Sequence, residues 1–368
     1  MKFLIVLFIL VSSVFQLAAQ DKEVEEVMEY LKNKQITEAR DLSNKLIVDP
    51  KYADNARLWF YRAVVYHNIY DNTAMKDSTT IFSAYDSYLK TMALDKEKKY
   101  YTETMKGLGI IANQFVYEGI QYFNSKDYPH AYNCFVKNLE IGRMPSINQL
   151  DTIIIYNTAI SAEKAGNLIE AASYYEELIK MKYGGVQMYN DLAKVLRQVG
   201  HDEKFLRTIE TGIRSYPDES FNLYSEIINY YLEKNDLANA FSYTETAIKS
   251  FANSAGLHFL YASLNEANGK NDIAETEYKK TIELDAGFTD AYFNLGSMYY
   301  NIGVDLLKKA MTKDEKNKAD SYYKDAMGMF EKVYEQTPDN QETIKILSNL
   351  YGYFNMTDKQ ALMQSKLN

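Results

Sequence analysis

The stretch Asp290 to Gly303 reads DAYFNLGSMYYNIG, and it indicates how the chain folds. Its apolar residues recur three and four positions apart, which is typical of an amphipathic helix with one buried face. Gly296 lies on that face, where a residue without a side chain lets a second helix approach closely. Downstream, Ala326 and Phe330 repeat the apolar spacing, and Pro338 ends the segment because proline cannot continue a helix. The stretch therefore predicts two helices that pack against each other.

The same phase of aromatic and small residues recurs along most of the chain. Small residues at the predicted helix contacts are Ala63, Gly119, Ala159, Ala193, Ala262 and Gly296. Turns between paired helices, where φ is positive, are predicted at Gly166, Gly200 and Gly269. Gly166 and Gly200 are 34 residues apart, and so are Ala240 and Ala274. Because one helix pair cannot bury its apolar face alone, this period predicts a stack of helix pairs with a continuous core.

These units resemble tetratricopeptide repeats. Tyr292 to Tyr299 reads YFNLGSMY and resembles the W-x2-L-G-x2-Y pattern of the first helix in that family. Ala326 and Phe330 resemble the A-x3-F pattern of the second helix. The resemblance extends over nearly all of residues 22–368. It implies an all-α fold, namely a right-handed α-solenoid of about eight helix hairpins plus a C-terminal capping hairpin.

Two hairpins depart from the repeat in length. About nine extra residues separate Tyr66 from Ala84, and about eighteen separate Tyr299 from Ala326. Both insertions fall between the two helices of one repeat. We therefore expect them to lengthen those hairpins, and either an inert extension or a second contact surface fits the pattern.

The N-terminus has the order of features found in secretory signal peptides. Lys2 precedes an apolar run that ends in small residues, which predicts removal of residues 1–19. The alternative is an uncleaved membrane anchor, but the apolar run is short for crossing a membrane. No later segment approaches a membrane span either. We expect residues 20–368 to be exported, most of all to the periplasm, with the cell surface or the medium as alternatives. Within them we expect N-terminal repeats over 22–143 and C-terminal repeats over 150–368.

Composition and motifs argue against several functions. The net charge is −9, or −10 without the signal segment and its single lysine, so we expect no nucleic-acid partner. The single cysteine, Cys134, cannot form a disulfide within the chain, and we interpret it as a buried core residue. No phosphate-binding, nucleophile or H-E-x-x-H motif occurs. The sequence therefore predicts no enzyme, no cofactor and no metal site.

The family resemblance also implies a binding groove on the concave face of the first helices. The ring-bearing residues that it places there are Phe60, His67, Phe123, Tyr156, Phe259, Phe293 and Tyr300. The polar residues that it places there are Asn190, Lys194, Arg197 and Asn229. Some family members hold a peptide carboxylate with such groups through charge-assisted hydrogen bonds. An ordinary solvated face for the polar set, and core packing for the aromatic set, remain the alternatives.

The leading functional hypothesis is a non-enzymatic scaffold or adaptor of the cell envelope that binds a protein or peptide in this groove. Since fold alone does not specify a partner, the sequence identifies neither the partner nor an oligomeric state. The alternative is an exported glycan-binding protein that uses the groove aromatics.

Overall fold

The computed structural model describes residues 22–71, 74–309 and 312–367. These residues form two compact units, unit 1 up to His201 and unit 2 from Asp202 onward. Within the described residues there are helices and turns but no β-strand, so the predicted all-α fold is confirmed. The predicted signal peptide, residues 1–19, lies outside the described residues. The division of the repeats into 22–143 and 150–368 stays a prediction.

Unit 1 consists of helix hairpins joined by short turns. Its helices are 22–32 (α1), Ile36–Ile47 (α2), Ala56–Asp71 (α3), Thr80–Leu94 (α4), Tyr101–Asn124 (α5), Tyr128–Gly142 (α6), Thr152–Lys164 (α7), Leu168–Lys180 (α8) and Val186–Gln198 (α9). The pairs α3–α4, α5–α6 and α7–α8 pack as hairpins. Successive hairpins touch because α4 contacts α5, α6 contacts α7 and α8 contacts α9.

Unit 2 repeats this arrangement. Its helices are Asp202–Ser215 (α10), Phe221–Glu233 (α11), Leu237–Ser250 (α12), Ala255–Ala267 (α13), Asn271–Leu284 (α14), Thr289–Lys309 (α15), Lys313–Gln336 (α16), Gln341–Tyr353 (α17) and Thr357–Gln364 (α18). The hairpins are α11–α12, α13–α14, α15–α16 and the C-terminal α17–α18. Pro217 opens a short 3-10 turn after α10, and Pro338 follows α16, so each proline comes directly after the end of a helix.

The turns inside the hairpins use the left-handed backbone region. Gly166 and Gly269, which close α7–α8 and α13–α14, have φ angles of 84° and 72°. Gly200, which follows α9, has a φ of 72°, so the predicted positive φ is confirmed at all three positions. Asn235 and Asn355 take the same conformation in other hairpins, at 55° and 57°. Glycine and asparagine accept this region more readily than other residues, which explains their use at these turns, whereas Lys126 takes the same conformation at 66° in the α5–α6 turn.

Small residues allow close helix contacts inside each hairpin. Ala63 and Ala262 are fully buried, as predicted for their helices. A Cβ atom at Gly119 would lie 2.7 Å from the ring of Phe135, and one at Gly296 would lie 3.1 Å from Met329 Cβ. Because the neighbouring helix occupies the space of a side chain, larger residues at these positions would separate the two helices.

The second insertion lengthens its hairpin, as the sequence predicted. α15 has 21 residues and α16 has 24, whereas the helices of the neighbouring hairpin α13–α14 have 13 and 14. Thr312 starts α16 with a capping box, since its hydroxyl accepts from Glu315 N and the Glu315 carboxylate accepts from Thr312 N. The first insertion leaves α3 and α4 at 16 and 15 residues.

Candidate functional site

Three of the four polar residues predicted for the groove share one face of α9. Asn190, Lys194 and Arg197 are spaced by four and three residues, which places them on neighbouring turns of the helix. Arg197 is half-buried and Lys194 is exposed. Asn229 is exposed on α11, which belongs to unit 2. The structure thus places three predicted residues together on one helix and the fourth in the other unit.

Lys194 is already paired with a carboxylate of the chain. Its Nζ donates to Glu163 Oε1 at 2.7 Å, and the Tyr175 hydroxyl donates to Glu163 Oε2 at 2.8 Å. The hydrogen bond to Glu163 raises the pKa of Lys194. Because the lysine side chain is 59% exposed, the pair is screened by water and contributes little to stability. A ligand carboxylate would have to compete with Glu163 for this ammonium group.

Two further groups make this part of α9 less basic than its sequence indicates. Asp191 accepts a hydrogen bond from Gln187 Nε2 at 2.8 Å, and its removal from water raises the pKa of its carboxyl group. Oδ1 of Asn190 is buried and accepts no hydrogen bond from the described residues. Of these two groups, only the Asp191 carboxylate is an acceptor on the surface beside Lys194.

The ring-bearing residues predicted for the groove are half-buried and pack against other rings. The closest ring pairs are Phe60–Tyr100 at 5.1 Å, Phe123–Tyr128 at 5.3 Å and Tyr156–Tyr183 at 6.1 Å in unit 1, and Phe259–Phe288 at 4.9 Å, Phe293–Phe330 at 5.6 Å and Tyr300–Tyr323 at 5.3 Å in unit 2. His67 lies 3.4 Å from the Tyr88 hydroxyl, and burial lowers its pKa. These contacts favour core packing over a stacking platform for a ligand.

Sequence reasoning missed an exposed apolar surface of unit 1, which lies on α5. A cavity of about 910 Å³, here called the α5 groove, is lined by Tyr70, Lys76 and the side of α5 between Lys106 and Tyr117. Ile110 and Tyr117 in this wall are 51% and 58% exposed. The sequence contained a sign of this surface, because Ile110 and Tyr117 do not fall at the helical spacing of the residues that form the buried side of α5.

A second, smaller cavity lies next to the α5 groove along the same helix. It encloses about 310 Å³ between α5, α6 and the start of α7, and Val116 and Ile154 contribute to its walls. Gly109 and Asn113 line both cavities. Two cavities of unit 1 therefore lie side by side along α5, with Gly109 and Asn113 between them.

Lys76 is fixed at the edge of the α5 groove. Its ammonium lies 4.0 Å from the centre of the Tyr70 ring and forms an ion pair with Glu118. The Tyr70 hydroxyl donates to the same carboxylate oxygen at 2.8 Å. Tyr70 comes from α3, Glu118 from α5 and Lys76 from the segment that precedes α4. These three parts of the chain together form this edge of the groove.

The described residues contain no group of three or more His, Cys, Asp and Glu side chains that could hold a metal ion. Cys134 is buried, and burial raises the pKa of its thiol to about 12. That environment stabilises the neutral thiol, so the interpretation as a core residue is favoured over a reactive nucleophile. Across residues 22–71, 74–309 and 312–367, no helix combines the length and apolarity that a membrane span requires.

No protein-family model and no curated protein matches the sequence. Among solved structures, the chain is similar to the C-terminal part of a TPR repeat-containing protein from Cytophaga hutchinsonii, with 15% identity and a TM-score of 0.49 over 69% of this chain and 93% of that one. A TPR repeats protein from Bacteroides fragilis is 21% identical, with a TM-score of 0.32 over 66% of this chain and 98% of its own.

The protein YrrB, described as a TPR protein with an unusual peptide-binding site, is 18% identical, with a TM-score of 0.40 over 53% of this chain and 91% of its own. Within this chain, the repeated helix hairpins, the small residues at their contacts and the positive-φ turns agree with the 34-residue motif. The described residues therefore form a series of helix hairpins that resemble tetratricopeptide repeats.

Proposed function

We propose that the chain is a non-enzymatic scaffold that binds a protein or peptide segment on the surface of α5 in unit 1. The observation that carries this proposal is the apolar surface of α5, where Ile110 and Tyr117 are exposed beside the α5 groove. Exposed apolar side chains that border a concave cavity are typical of interaction sites. The partner would bury these two side chains and thereby gain the largest part of its binding free energy.

Location in the cell envelope is part of the same proposal. It rests on the charge, apolar run and small residues of 1–19. N-terminal sequencing of the protein purified from the periplasm would test it, with Gln20 as the expected first residue. A cytoplasmic protein that retains Met1 would refute export and leave the binding proposal intact.

The binding proposal is tested by capture from a gently cross-linked envelope fraction, with residues 20–368 as bait. Two variants form a matched pair, Ile110→Ser on α5 and Ile169→Ser on the second helix α8, since both isoleucines are exposed, at 51% and 67%. We expect a partner that the Ile169 variant retains and the Ile110 variant loses. Loss with the Ile169 variant alone would place the interface on the opposite face.

A third variant tests the site predicted from the family pattern. Lys194→Glu combined with Arg197→Glu reverses the charge of α9, and loss of the same partner would extend the interface from α5 to α9. Retention would confine the interface to α5. Recovery of no protein by any bait would refute the scaffold proposal, and binding of soluble polysaccharides would be measured next.

A further inference from the structure

The long hairpin of unit 2 forms part of the wall of a cavity. The repeat alanine is the fourth residue of α14, Ala274, but the fourteenth residue of α16, Ala326. Residues 313–322 are therefore additional to the length of α14, and we call them the α16 extension. Side chains of α14, α15 and α16, including the α16 extension, enclose about 480 Å³, here called the α16 cavity. This volume lies within the range of roughly 300–1,000 Å³ that small-molecule sites occupy.

The α16 extension is held in place by its neighbouring helices. Ala319 within it is fully buried. A Cβ atom at Gly303 of α15 would lie 2.6 Å from the ring of Tyr323, so α15 and α16 pack closely beside the extension. From α17, the Tyr353 hydroxyl donates to Asp320 Oδ1 at 2.7 Å. The wall that the extension contributes to the cavity is therefore fixed by packing against α15 and α17.

The α14 wall of the cavity carries one carboxylate that is only partly satisfied. Lys279 Nζ and the Tyr299 hydroxyl both donate to Glu275 Oε1, at 2.6 Å and 2.8 Å. No described residue donates to Oε2 of the same group, and the Glu275 side chain is 32% exposed. This wall therefore presents an acceptor whose orientation is set by two internal hydrogen bonds.

The α16 wall presents polar groups that the chain itself does not use. Lys318, Ser321 and Asp325 are exposed, and their spacing of three and four residues puts them on one face of the helix. Their side chains have no hydrogen bond or ion pair within the described part of the chain. Lys318 and Asp325 are separated by roughly 10 Å along the helix axis. A ligand that contacts both must carry polar groups over that length.

The balance of charges favours an uncharged ligand. The carboxylates of Glu275 and Asp325 and the ammonium groups of Lys279 and Lys318 all line the cavity, so their charges cancel and attract neither an anion nor a cation. A carboxylate only accepts hydrogen bonds and an ammonium group only donates them, whereas a hydroxyl group does both. A molecule with several hydroxyl groups therefore satisfies all of these side chains.

Apolar groups in the same wall favour a sugar among such molecules. Tyr322 and Met329 line the cavity, and the half-buried Tyr322 ring lies 5.9 Å from the ring of Tyr299. A sugar ring has C–H groups on its faces and hydroxyl groups at its edge, so it matches a wall that combines rings with polar side chains. A free amino acid, whose two charges lie on neighbouring groups, would reach only one of Lys318 and Asp325.

We propose that the α16 cavity binds a short neutral oligosaccharide. Its hydroxyl groups donate to Asp325 and Glu275 and accept from Lys318, and one sugar ring covers Tyr322. The site is independent of the proposed scaffold function, because it lies in unit 2 and its residues differ from those of the α5 groove. It also differs from the first-helix aromatic residues at which the sequence placed a glycan.

The probe is an array of neutral di- to hexasaccharides, screened with residues 20–368, and the Kd of each binder is then measured by calorimetry. Diglycine, a zwitterion, serves as the charged comparison. We expect at least one oligosaccharide to bind and diglycine not to bind. Binding of no oligosaccharide, or of diglycine alone, would overturn the proposal.

A pair of double variants tests the location. Lys318→Ala with Asp325→Ala should weaken binding of the selected oligosaccharide at least tenfold, because it removes a charged donor and a charged acceptor. Lys316→Ala with Asp314→Ala is the matched control, since these residues are also exposed on α16 but do not line the cavity. The control should keep the wild-type Kd. Equal Kd values for the two double variants would refute the site.

Ser321→Leu tests the cavity by filling it. Because Ser321 is exposed, the variant should keep the helical circular dichroism of the wild type and lose the oligosaccharide. Binding that survives Ser321→Leu would place the sugar elsewhere and refute the assignment. Ile110→Ser should leave the Kd for the oligosaccharide unchanged, so failure of the scaffold proposal and failure of this one give different results.

Discussion

Ionisation of Tyr88 should lower the stability of unit 1 at alkaline pH. Its side chain is 3% exposed, and this burial raises the pKa of its hydroxyl group to about 12. An unfolded tyrosine ionises near pH 10, so between about pH 10 and 12 the folded state retains a proton that the unfolded state releases. The contribution of Tyr88 to stability is therefore complete below pH 10 and is lost as the pH rises through its folded value.

The size of this effect follows from the two ionisation constants. The pKa of Tyr88 is about 10 in the unfolded state and about 12 in the folded state. At pH 11 this difference lowers the free energy of unfolding by about 1.4 kcal/mol. Tyr88→Phe has no group to ionise, so it escapes this loss. The hydroxyl contact to His67 is 3.4 Å long, so its removal should cost less than about 1 kcal/mol at pH 7.

The assay is urea unfolding followed by helical circular dichroism at pH 7 and pH 11. We expect the stability of Tyr88→Phe relative to the wild type to rise by about 1.4 kcal/mol between the two pH values. Tyr117→Phe is the control, because that ring is 58% exposed, and its relative stability should stay constant. A pH-independent difference for Tyr88→Phe would refute the reasoning that burial suppresses its ionisation.

Three further predictions follow from the core and the α5 groove. Gly107→Ala should lower the free energy of unfolding by about 2 kcal/mol, because its Cβ would overlap the Tyr88 ring, and an unchanged thermal midpoint would contradict this. The Cys134 thiol, with its pKa raised to about 12 by burial, should react with a thiol reagent at neutral pH only as fast as the protein unfolds; rapid labelling of the folded protein would show an accessible thiolate. Glu118→Ala should cost about 2 kcal/mol in urea unfolding, because it leaves the Lys76 ammonium without its carboxylate, and Glu118→Gln should lie between it and the wild type.

The architecture was accessible from the sequence because it depends on local spacing. Apolar residues at helical intervals and glycines at turns act within one hairpin, so each copy of the repeat carried the same information. The insertion between Tyr299 and Ala326 could likewise be placed, and the lengths of α15 and α16 confirm that it extends one hairpin. The pairing partners of polar side chains lie further apart along the chain and do not follow from such spacing.

Lys194 is an example of a polar side chain whose partner lies far away along the chain. Its partner Glu163 lies 31 residues earlier, on a different helix, and no local pattern joins them. A sequence that places Lys194 and Arg197 on one helix face predicts a basic surface, whereas the neighbouring helix brings a carboxylate to it. The α5 groove escaped prediction for the same reason, because its wall combines α5 with Tyr70 and Lys76 from segments far back in the chain.

One rule nevertheless connects the predicted groove with the core. In the family pattern, the last groove-facing position of the first helix lies eight residues after the position of the aromatic. Here that residue is polar in the three hairpins whose second helix has a buried tyrosine four residues after the repeat alanine, namely Ala84, Ala171 and Ala274. The pairs are His67 with Tyr88 at 3.4 Å, Glu163 with Tyr175 at 2.8 Å and Glu266 with Tyr278 at 2.8 Å. A buried phenol requires a hydrogen-bond partner, so this groove position is used to satisfy the core.

Where the second helix carries phenylalanine, the requirement disappears. Phe135 in α6 and Phe330 in α16 have no hydroxyl group, and the corresponding groove positions are the aromatic residues Phe123 and Tyr300. The choice between tyrosine and phenylalanine in the second helix thus indicates, from the sequence, which first helices must supply a polar side chain to the core. α5 is free of that requirement, and its exposed side chains Ile110 and Tyr117 border the α5 groove.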